Sequence, residues 1–310
     1  MLQVQNISFS YHDNTTISSL SFSLQKGKNL AIIGESGCGK STLLKLIYGL
    51  YDAKEGHIFW NNQEVRGPKF HLIPGMPYMK YLAQDFDLMP FITVAENVGK
   101  YLSNFYPEEK KERIAELLEI VEMTEFANSK AKFLSGGQMQ RVALARVLAR
   151  EPEVLLLDEP FSHIDNFRKN SLRRKLFSYL KSKDITTVVA THDSTDVLSF
   201  ADKVIVMQTG KIVAVNSPKE LHNNPTSKYV ASLFGDVNEI PGRYFNQEKA
   251  ILLYPHQLKI VENSMLKVTV SNVYFRGNHY LIEVNYPEGS LFFENEKYIE
   301  IQSILFLSQK

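Results

Sequence analysis

The sequence has 310 residues, of which 44% are hydrophobic and 22% are charged, and this balance excludes an intrinsically disordered chain. The length suits one domain of ordinary size followed by a smaller one. The 35 basic residues are balanced by 34 acidic residues, so the net charge gives no reason to expect nucleic-acid binding.

The sequence pattern also lacks signals for secretion or membrane insertion. Residues 1–20 contain no basic stretch followed by an apolar one, so we expect no signal peptide. No apolar run approaches the roughly 18 residues that a membrane helix needs. The single cysteine, Cys38, cannot form an intrachain disulfide and suits a reducing compartment. We therefore expect the protein to reach a membrane only through partners.

The first 24 residues alternate between apolar and polar side chains. The apolar positions form two runs, separated by a polar turn at residues 13–15. This pattern predicts an antiparallel β-hairpin. Tyr11 lies just before the turn, where its ring could contact a flat ligand, although a half-buried strand tyrosine is the commoner case.

A glycine-rich run follows the short apolar segment Leu30–Ile33, which has the character of a buried parallel strand. The run consists of Gly34, Glu35, Ser36, Gly37, Cys38, Gly39, Lys40, Ser41 and Thr42. It matches the pattern G-x-x-x-x-G-K-[ST] in full. Glycines let backbone N–H groups approach an anion, and the following helix adds the positive end of its dipole. We predict a phosphate-binding loop with Lys40 on the β- and γ-phosphates and Ser41 on magnesium. A glycine-rich turn before an ordinary helix is the alternative.

The region up to residue 123 contains a predicted helix that ends near Gly49, a strand at residues 56–62 and a Pro- and Gly-rich loop at residues 66–80. A short apolar strand then leads to Gln84. Apolar residues at helical spacing predict a further helix from Glu108 to Met123.

A second glycine-containing helix start follows Leu134. It consists of Ser135, Gly136, Gly137 and Gln138. Such a start suits an anion, although a simple helix cap is the commoner case. The buried strand 154–157 then ends in Asp158 and Glu159, where open α/β sheets hold their catalytic groups. One carboxylate can hold magnesium and the other can act on water.

The pattern continues with a helix at residues 167–181 and a β-branched strand at residues 186–190 that leads to His192. A histidine at the end of such a strand is a candidate for the same site. Strands at residues 203–207 and 212–215 predict a hairpin, and a helix is predicted over residues 218–234.

This ordered set of motifs resembles the nucleotide-binding subunit of ATP-binding cassette (ABC) transporters over residues 1–235. The run Leu-Ser-Gly-Gly-Gln at residues 134–138 is close to diagnostic of that family. The resemblance implies an α/β fold, the P-loop NTPase fold of ABC type, in which a mixed sheet is accompanied by an antiparallel β subdomain and a helical subdomain. It also implies ATP and Mg²⁺ as ligands.

The resemblance implies specific roles at the nucleotide. Tyr11 would stack on adenine, and Lys40 would bind the β- and γ-phosphates. Ser41 and Gln84 would bind magnesium directly, and Asp158 would complete the shell of that ion, in part through water.

For hydrolysis, the resemblance implies that Glu159 is the general base and that His192 contacts the γ-phosphate and orients the attacking water. Family members pair head to tail, so residues 135–138 of a second copy would face the loop at Gly34 and complete the site. Asp165 would lie at the seam of that dimer.

Residues 236–310 have a different pattern, with short alternating strands and a turn at Gly277-Asn278. They predict a small all-β domain, an OB-like barrel. Seven basic and seven acidic residues from residue 241 onward leave no positive groove for nucleic acid. The segment resembles the C-terminal (TOBE-like) barrel of importer ATPases. A ligand-sensing role and a role limited to supporting the dimer both remain open.

We therefore expect this chain to be the ATP-hydrolysing subunit of an importer and to lie peripherally on the cytoplasmic face of the cell membrane. Its partners would be a second copy, separate membrane subunits and, indirectly, a solute-binding protein. An exporter or lipoprotein-release ATPase is the near alternative. A soluble ABC ATPase acting on ribosomes or DNA is less favoured, because one cassette is present without a long insertion before residue 134. A nucleotide-binding scaffold conflicts with the presence of Glu159 and His192. The transported substrate cannot be inferred.

Overall fold

A computed structural model describes residues 1–12 and 14–310. These residues form two compact units, Met1–Pro218 and Lys219–Lys310. The domain boundary that we expect after residue 235 stays a prediction. Within the described ranges, no helix is both long enough and apolar enough to cross a membrane.

Regular elements follow one another closely along the chain. The strands are β1 (Leu2–Tyr11), β2 (Asn14–Leu24), β3 (Asn29–Ile33), β4 (Glu55–Trp60), β5 (Gln63–Glu64), β6 (Met79–Leu82), β7 (Val154–Asp158), β8 (Thr186–Thr191), β9 (Lys203–Gln208), β10 (Lys211–Asn216), β11 (Asn238–Ile240), β12 (Ile251–Leu253), β13 (Leu258–Val261), β14 (Leu266–Phe275), β15 (Tyr280–Tyr286), β16 (Gly289–Asn295) and β17 (Ile304–Gln309). The helices are α1 (Lys40–Tyr48), α2 (Val94–Gly99), α3 (Pro107–Ile120), α4 (Gly136–Leu148), α5 (Asn166–Ser182), α6 (Ser194–Phe200), α7 (Pro218–Asn223) and α8 (Lys228–Ser232).

An antiparallel sheet with strand order β2-β1-β4-β5 opens the first unit. The predicted hairpin is confirmed, since β1 pairs with β2 from Leu2 opposite Leu24 to Tyr11 opposite Asn14. Of the predicted turn, Asp13 lies outside the described residues, whereas Asn14 is already the first residue of β2.

The central sheet of the first unit has the strand order β10-β9-β3-β8-β7-β6. Its strands are parallel except for β10, which pairs antiparallel with β9 as the predicted hairpin requires. Every residue of β7 and β8 is buried, which explains their unbroken apolar and β-branched composition. The predicted α/β fold with a mixed central sheet is confirmed, and the carboxyl ends of β3, β8, β7 and β6 meet at one edge.

The helices differ from the predictions in three places. Helix α6 was not predicted. Helix α2 was not predicted, although Thr93 and Glu96 form a capping box that is visible in the sequence. The single helix predicted over residues 218–234 was wrong, because α7 ends before Pro225 and α8 begins anew after Ser227. Proline disfavours a helical conformation in the residue before it, and the Ser227 hydroxyl accepts a hydrogen bond from Val230 N.

The second unit contains a five-stranded antiparallel sheet with strand order β13-β17-β14-β15-β16, together with the pair β11-β12. Leu266, Val268 and Val270 alternate into its core, as predicted. The predicted turn at Gly277-Asn278 joins β14 to β15, and Gly277 has a φ of 92°, which favours glycine. The predicted all-β character of the C-terminal region is confirmed.

Candidate nucleotide site

The predicted site residues follow the carboxyl ends of neighbouring parallel strands. The glycine-rich loop follows β3, Gln84 follows β6, and His192 follows β8. Asp158 is the last residue of β7 and pairs with Ala190 of β8. Because these strands are adjacent, their polar ends converge at one edge of the sheet, which is where open α/β sheets hold ligands.

A cavity of about 370 Å³ opens at this edge. It is lined by Tyr11, Thr16, Ser36, Gly37, Gly39, Lys40, Ser41, Thr42, Gln84 and Glu159. All of these residues except Thr16 were predicted from the sequence. Residues from four separate stretches of the chain therefore share one cavity.

The glycines of the loop are required by its geometry. Gly39 is the N-cap of α1 and has a φ of 105°, which side-chain-bearing residues rarely adopt. A Cβ atom on Gly34 would lie 2.2 Å from the carbonyl oxygen of Met207, a distance that no packing permits. The backbone can therefore wrap tightly around the start of α1, where the unpaired N–H groups of the helix are available to an anion.

Lys40 lies inside this loop and is only 8% exposed. Its Nζ atom donates hydrogen bonds to the carbonyl oxygens of Gly34 at 2.7 Å and Glu35 at 3.0 Å. Burial raises the pKa of the adjacent Cys38 thiol, while the nearby Lys40 ammonium opposes that shift. The loop thus holds a buried ammonium group beside the cavity, as a site for phosphate requires.

Asp158 provides a carboxylate in contact with the loop. Its Oδ1 atom accepts a hydrogen bond from Ser41 Oγ at 2.9 Å, and its Oδ2 atom accepts one from Tyr81 Oη at 3.1 Å. Burial raises the pKa of Asp158, and the two hydroxyl donors with Lys45 and Lys40 oppose that shift. A hydroxyl, a carboxylate and the amide of Gln84 are oxygen ligands of the kind that Mg²⁺ prefers, so this donor set fits the ion.

Glu159 and His192 form a second polar pair at the same edge. Glu159 Oε2 lies 2.8 Å from His192 Nδ1. The backbone of Glu159 has a φ of 49°, and its carbonyl accepts hydrogen bonds from Gln140 Nε2 at 2.9 Å and Ser162 Oγ at 3.0 Å. These bonds hold the backbone in a conformation that a non-glycine residue seldom adopts. A carboxylate held at the cavity in this way can accept a proton from water.

Tyr11 presents its ring at the cavity. The residue is 39% exposed, and its ring makes edge contacts with Phe9 and Tyr51 at centroid distances of 4.9 and 5.6 Å. Its hydroxyl lies 3.4 Å from Thr42 Oγ1. The side chain is thus held in place while part of its ring remains available for stacking on a flat ligand.

The predicted residues at the starts of α4 and α5 do not line this cavity. Of the residues that the structure describes, Ser135 to Gln138 and Asp165 do not line it. Ser135 and Gln138 form a capping box at the start of α4, and a Cβ atom on Gly136 would meet nothing within 4 Å. Asp165 is exposed at the N-cap of α5.

Three residues of the site were missed by the sequence analysis. Thr16 lines the cavity, Tyr81 donates to Asp158, and the amide of Gln140 joins Glu159 O to the backbone N–H of His163. Tyr81 and Gln140 act on residues that are distant in sequence, so no local motif indicates them. Only the strand order brings these partners together.

Comparisons with known proteins bear on the same residues. Residues 17–162 match the family model described as ABC transporter. One relative is an Fe(3+) ions import ATP-binding protein of Haemophilus influenzae. The sequence identity is 30%, and the alignment covers 95% of this chain and 90% of the relative. Another relative is a spermidine/putrescine import ATP-binding protein of Bacillus cereus. The sequence identity is 33%, and the alignment covers 86% of this chain and 80% of the relative.

The fold is also similar to solved structures. One is a dimeric ATP-binding cassette in a post-hydrolysis state, bound to ADP and Pi. The likeness to it has a TM-score of 0.62 at 28% identity and covers 70% of this chain and 99% of that one. The residues that match the family model, 17–162, include the glycine-rich loop, Gln84 and Glu159 of the cavity.

Proposed function

This chain belongs to the ABC transporter family, among its ATP-binding proteins, and from that premise we propose that it hydrolyses ATP to power import of a solute through separate membrane subunits. The observation that carries the proposal is the convergence of Lys40, Ser41, Asp158 and Glu159 at one edge of the sheet. The import functions named for the relatives favour import over export.

The glycine-rich loop binds the phosphates in this proposal. Gly34, Glu35, Ser36, Gly37, Cys38, Gly39 and Thr42 supply the backbone that surrounds them. The Lys40 ammonium group donates to two loop carbonyls and can donate to the β- and γ-phosphates instead when the nucleotide binds. Tyr11 stacks on adenine, a role supported by its partly exposed ring.

Ser41, Gln84 and Asp158 hold Mg²⁺ in this proposal, Asp158 in part through water. Held by these residues, the ion would neutralise negative charge on the phosphates. The Ser41 hydroxyl already contacts Asp158 at 2.9 Å, so the two ligands lie close enough to share one ion.

Glu159 acts as the general base. A water oxygen attacks the γ-phosphorus, the bond to the bridging oxygen of ADP breaks, and the water proton passes to the Glu159 carboxylate. His192 keeps that carboxylate in place through the 2.8 Å contact of its Nδ1 atom and orients the water toward the γ-phosphate. The products are ADP and phosphate.

A second copy of the chain completes the site. Residues Ser135 to Gln138 stand at the start of the 13-residue helix α4, so the positive end of its dipole can face the γ-phosphate of the other copy. Asp165 lies at the seam. The open space beside Gly136 and the exposure of Asp165 support this arrangement, because a partner could approach both. ATP binding would close the dimer, and hydrolysis would open it.

The dimer works on the cytoplasmic face of the cell membrane, bound to integral transporter subunits that receive solute from a solute-binding protein. Purification of the full chain from detergent-solubilised membranes tests this assembly. We expect integral membrane proteins to be recovered with it, and release of phosphate from ATP that EDTA abolishes. Recovery of ribosomes or DNA alone would contradict the transport function.

A further inference from the structure

Tyr81 joins the strand that leads to Gln84 with the strand that ends in Asp158. In the parallel pair β6-β7, Tyr81 is opposite Leu156, and Asp158 follows two residues later. Side chains two residues apart on a strand point to the same face. The Tyr81 hydroxyl spans this offset and donates to Asp158 Oδ2 at 3.1 Å.

The Tyr81 ring is itself held in place. It packs against the ring of Tyr48, with a centroid distance of 5.5 Å. Tyr48 is the last residue of α1, the helix that begins at Lys40.

The two oxygens of Asp158 have different donors. Oδ1 accepts from Ser41, whereas Oδ2 accepts from Tyr81. A magnesium ion bound at Ser41 would take up the Ser41 oxygen, so the Ser41 hydrogen bond would be weakened when the site is loaded. The Tyr81 hydrogen bond involves the other oxygen and can persist.

We propose that Tyr81 is a positioning residue for magnesium: its hydroxyl holds Asp158 Oδ2, so that Oδ1 faces the ion beside Ser41. This inference rests on the proposed roles of Ser41 and Asp158 at the ion. The Tyr81 hydroxyl also links the strand that leads to Gln84 directly to Asp158, and so couples these two proposed ligands. Ligating groups depend on such supporting contacts for their orientation.

The test compares nucleotide affinity with and without the metal. Tyr81→Phe removes the hydroxyl and keeps the ring. Calorimetry with Mg²⁺ and with EDTA measures the gain in ATP affinity that Mg²⁺ provides. We expect Tyr81→Phe to reduce this gain about tenfold, because the variant loses one hydrogen bond to a charged group. Affinity in EDTA should stay within about twofold, since the loop is unchanged and the protein folded. The matched control is Tyr48→Phe, which removes a hydroxyl from the neighbouring ring and should leave the magnesium-dependent gain in affinity unaltered.

A double-mutant cycle with Asp158→Asn separates positioning from packing. If Tyr81 acts through this carboxylate, Tyr81→Phe should change the magnesium-dependent gain by less than about twofold in the Asp158→Asn background. Equal effects of Tyr81→Phe in both backgrounds would overturn the inference, as would equal losses of affinity with Mg²⁺ and with EDTA.

The single substitutions distinguish this inference from the proposal on which it rests. If Asp158→Asn alone left the magnesium-dependent gain unchanged, the proposed role of Asp158 would be wrong. If Asp158→Asn reduced the gain and Tyr81→Phe did not, only the inference about Tyr81 would be overturned.

Discussion

The buried polar side chains beside the cavity of the first compact unit and the buried amide of the second unit have different surroundings. In the first unit, the buried groups Lys40 and Asp158 lie beside a cavity and are arranged to meet a ligand. In the second, Asn238 is the one buried polar side chain among the described residues, and both ends of its amide bond the backbone of Phe292, at 2.7 and 2.8 Å.

This difference follows from strand direction. Parallel strands bring several carboxyl ends to one edge, so side chains from distant stretches converge there without pairing fully with one another. Antiparallel strands connected by turns bring no such set of ends together, and a buried amide in them is satisfied by backbone groups. Substitution of the buried polar groups beside the cavity of the first unit is therefore expected to reduce activity, whereas substitution of the buried amide in the second unit is expected to reduce stability.

The largest expected effect is that of Glu159→Gln, which keeps the size of the side chain and removes the base. ATP turnover, measured as phosphate release, should fall by about 100- to 10,000-fold. ATP binding should persist, and size-exclusion chromatography with ATP should show a dimer. Turnover at the unsubstituted rate would exclude Glu159 as the base.

Arg173→Met probes a buried ion pair of the first unit. Arg173 and Asp196 are 4% and 3% exposed, and their side chains lie 2.5 Å apart. Removing the guanidinium strands a buried carboxylate and should lower the free energy of unfolding by about 3 to 5 kcal/mol. The exposed pair of the second unit gives the contrast, since Arg243→Met, which breaks its pair with Glu288, should change stability little.

The loss of stability caused by Arg173→Met should also depend on pH, which gives a second test of the ion pair. Burial raises the pKa of Asp196 to about 6, above the value of an unfolded aspartate. Stability linked to protonation of Asp196 is therefore present at low pH and is lost as the pH rises through about 6. Chemical denaturation should show a smaller loss for Arg173→Met below that pH than above it, and a loss independent of pH would exclude Asp196 as the cause.

Lys40→Ala should weaken ATP binding about 10- to 100-fold, because it removes a charged hydrogen-bond donor from the phosphates. Calorimetry with ATP and Mg²⁺ measures the change. The control is Lys267→Ala on the exposed face of β14 in the second unit, which should leave the affinity unaltered. Equal affinities for both variants would contradict the assignment of the loop.

Asn238→Ala should have the smallest effect of the series. It leaves the N–H and C=O groups of Phe292 unpaired in the second unit and should cost about 1 to 3 kcal/mol of stability. ATP binding should be retained. Asn272→Ala, which removes an exposed amide that bonds Glu283, is the matched control, and an equal loss of stability in both variants would disprove the importance of the buried amide.

Local sequence patterns were enough to predict much of the fold. The N-terminal hairpin, the strands of the central sheet and the glycine-rich loop were predicted because alternation, apolar runs and glycine spacing are properties of short segments. The continuous helix over residues 218–234 was wrong, because a proline and a serine cap inside it outweighed the apolar spacing. Helices α2 and α6 were missed because they are short, with 6 and 7 residues.

The sequence by itself determined the loop that begins at Gly34, the carboxylates Asp158 and Glu159, and the resemblance to the ABC family. Only the tertiary structure decided how they meet. The hydrogen bonds that join Ser41 and Tyr81 to Asp158 connect positions 117 and 77 residues apart. Such contacts depend on strand order and register, in which a shift of one residue would turn each side chain to the opposite face of the sheet.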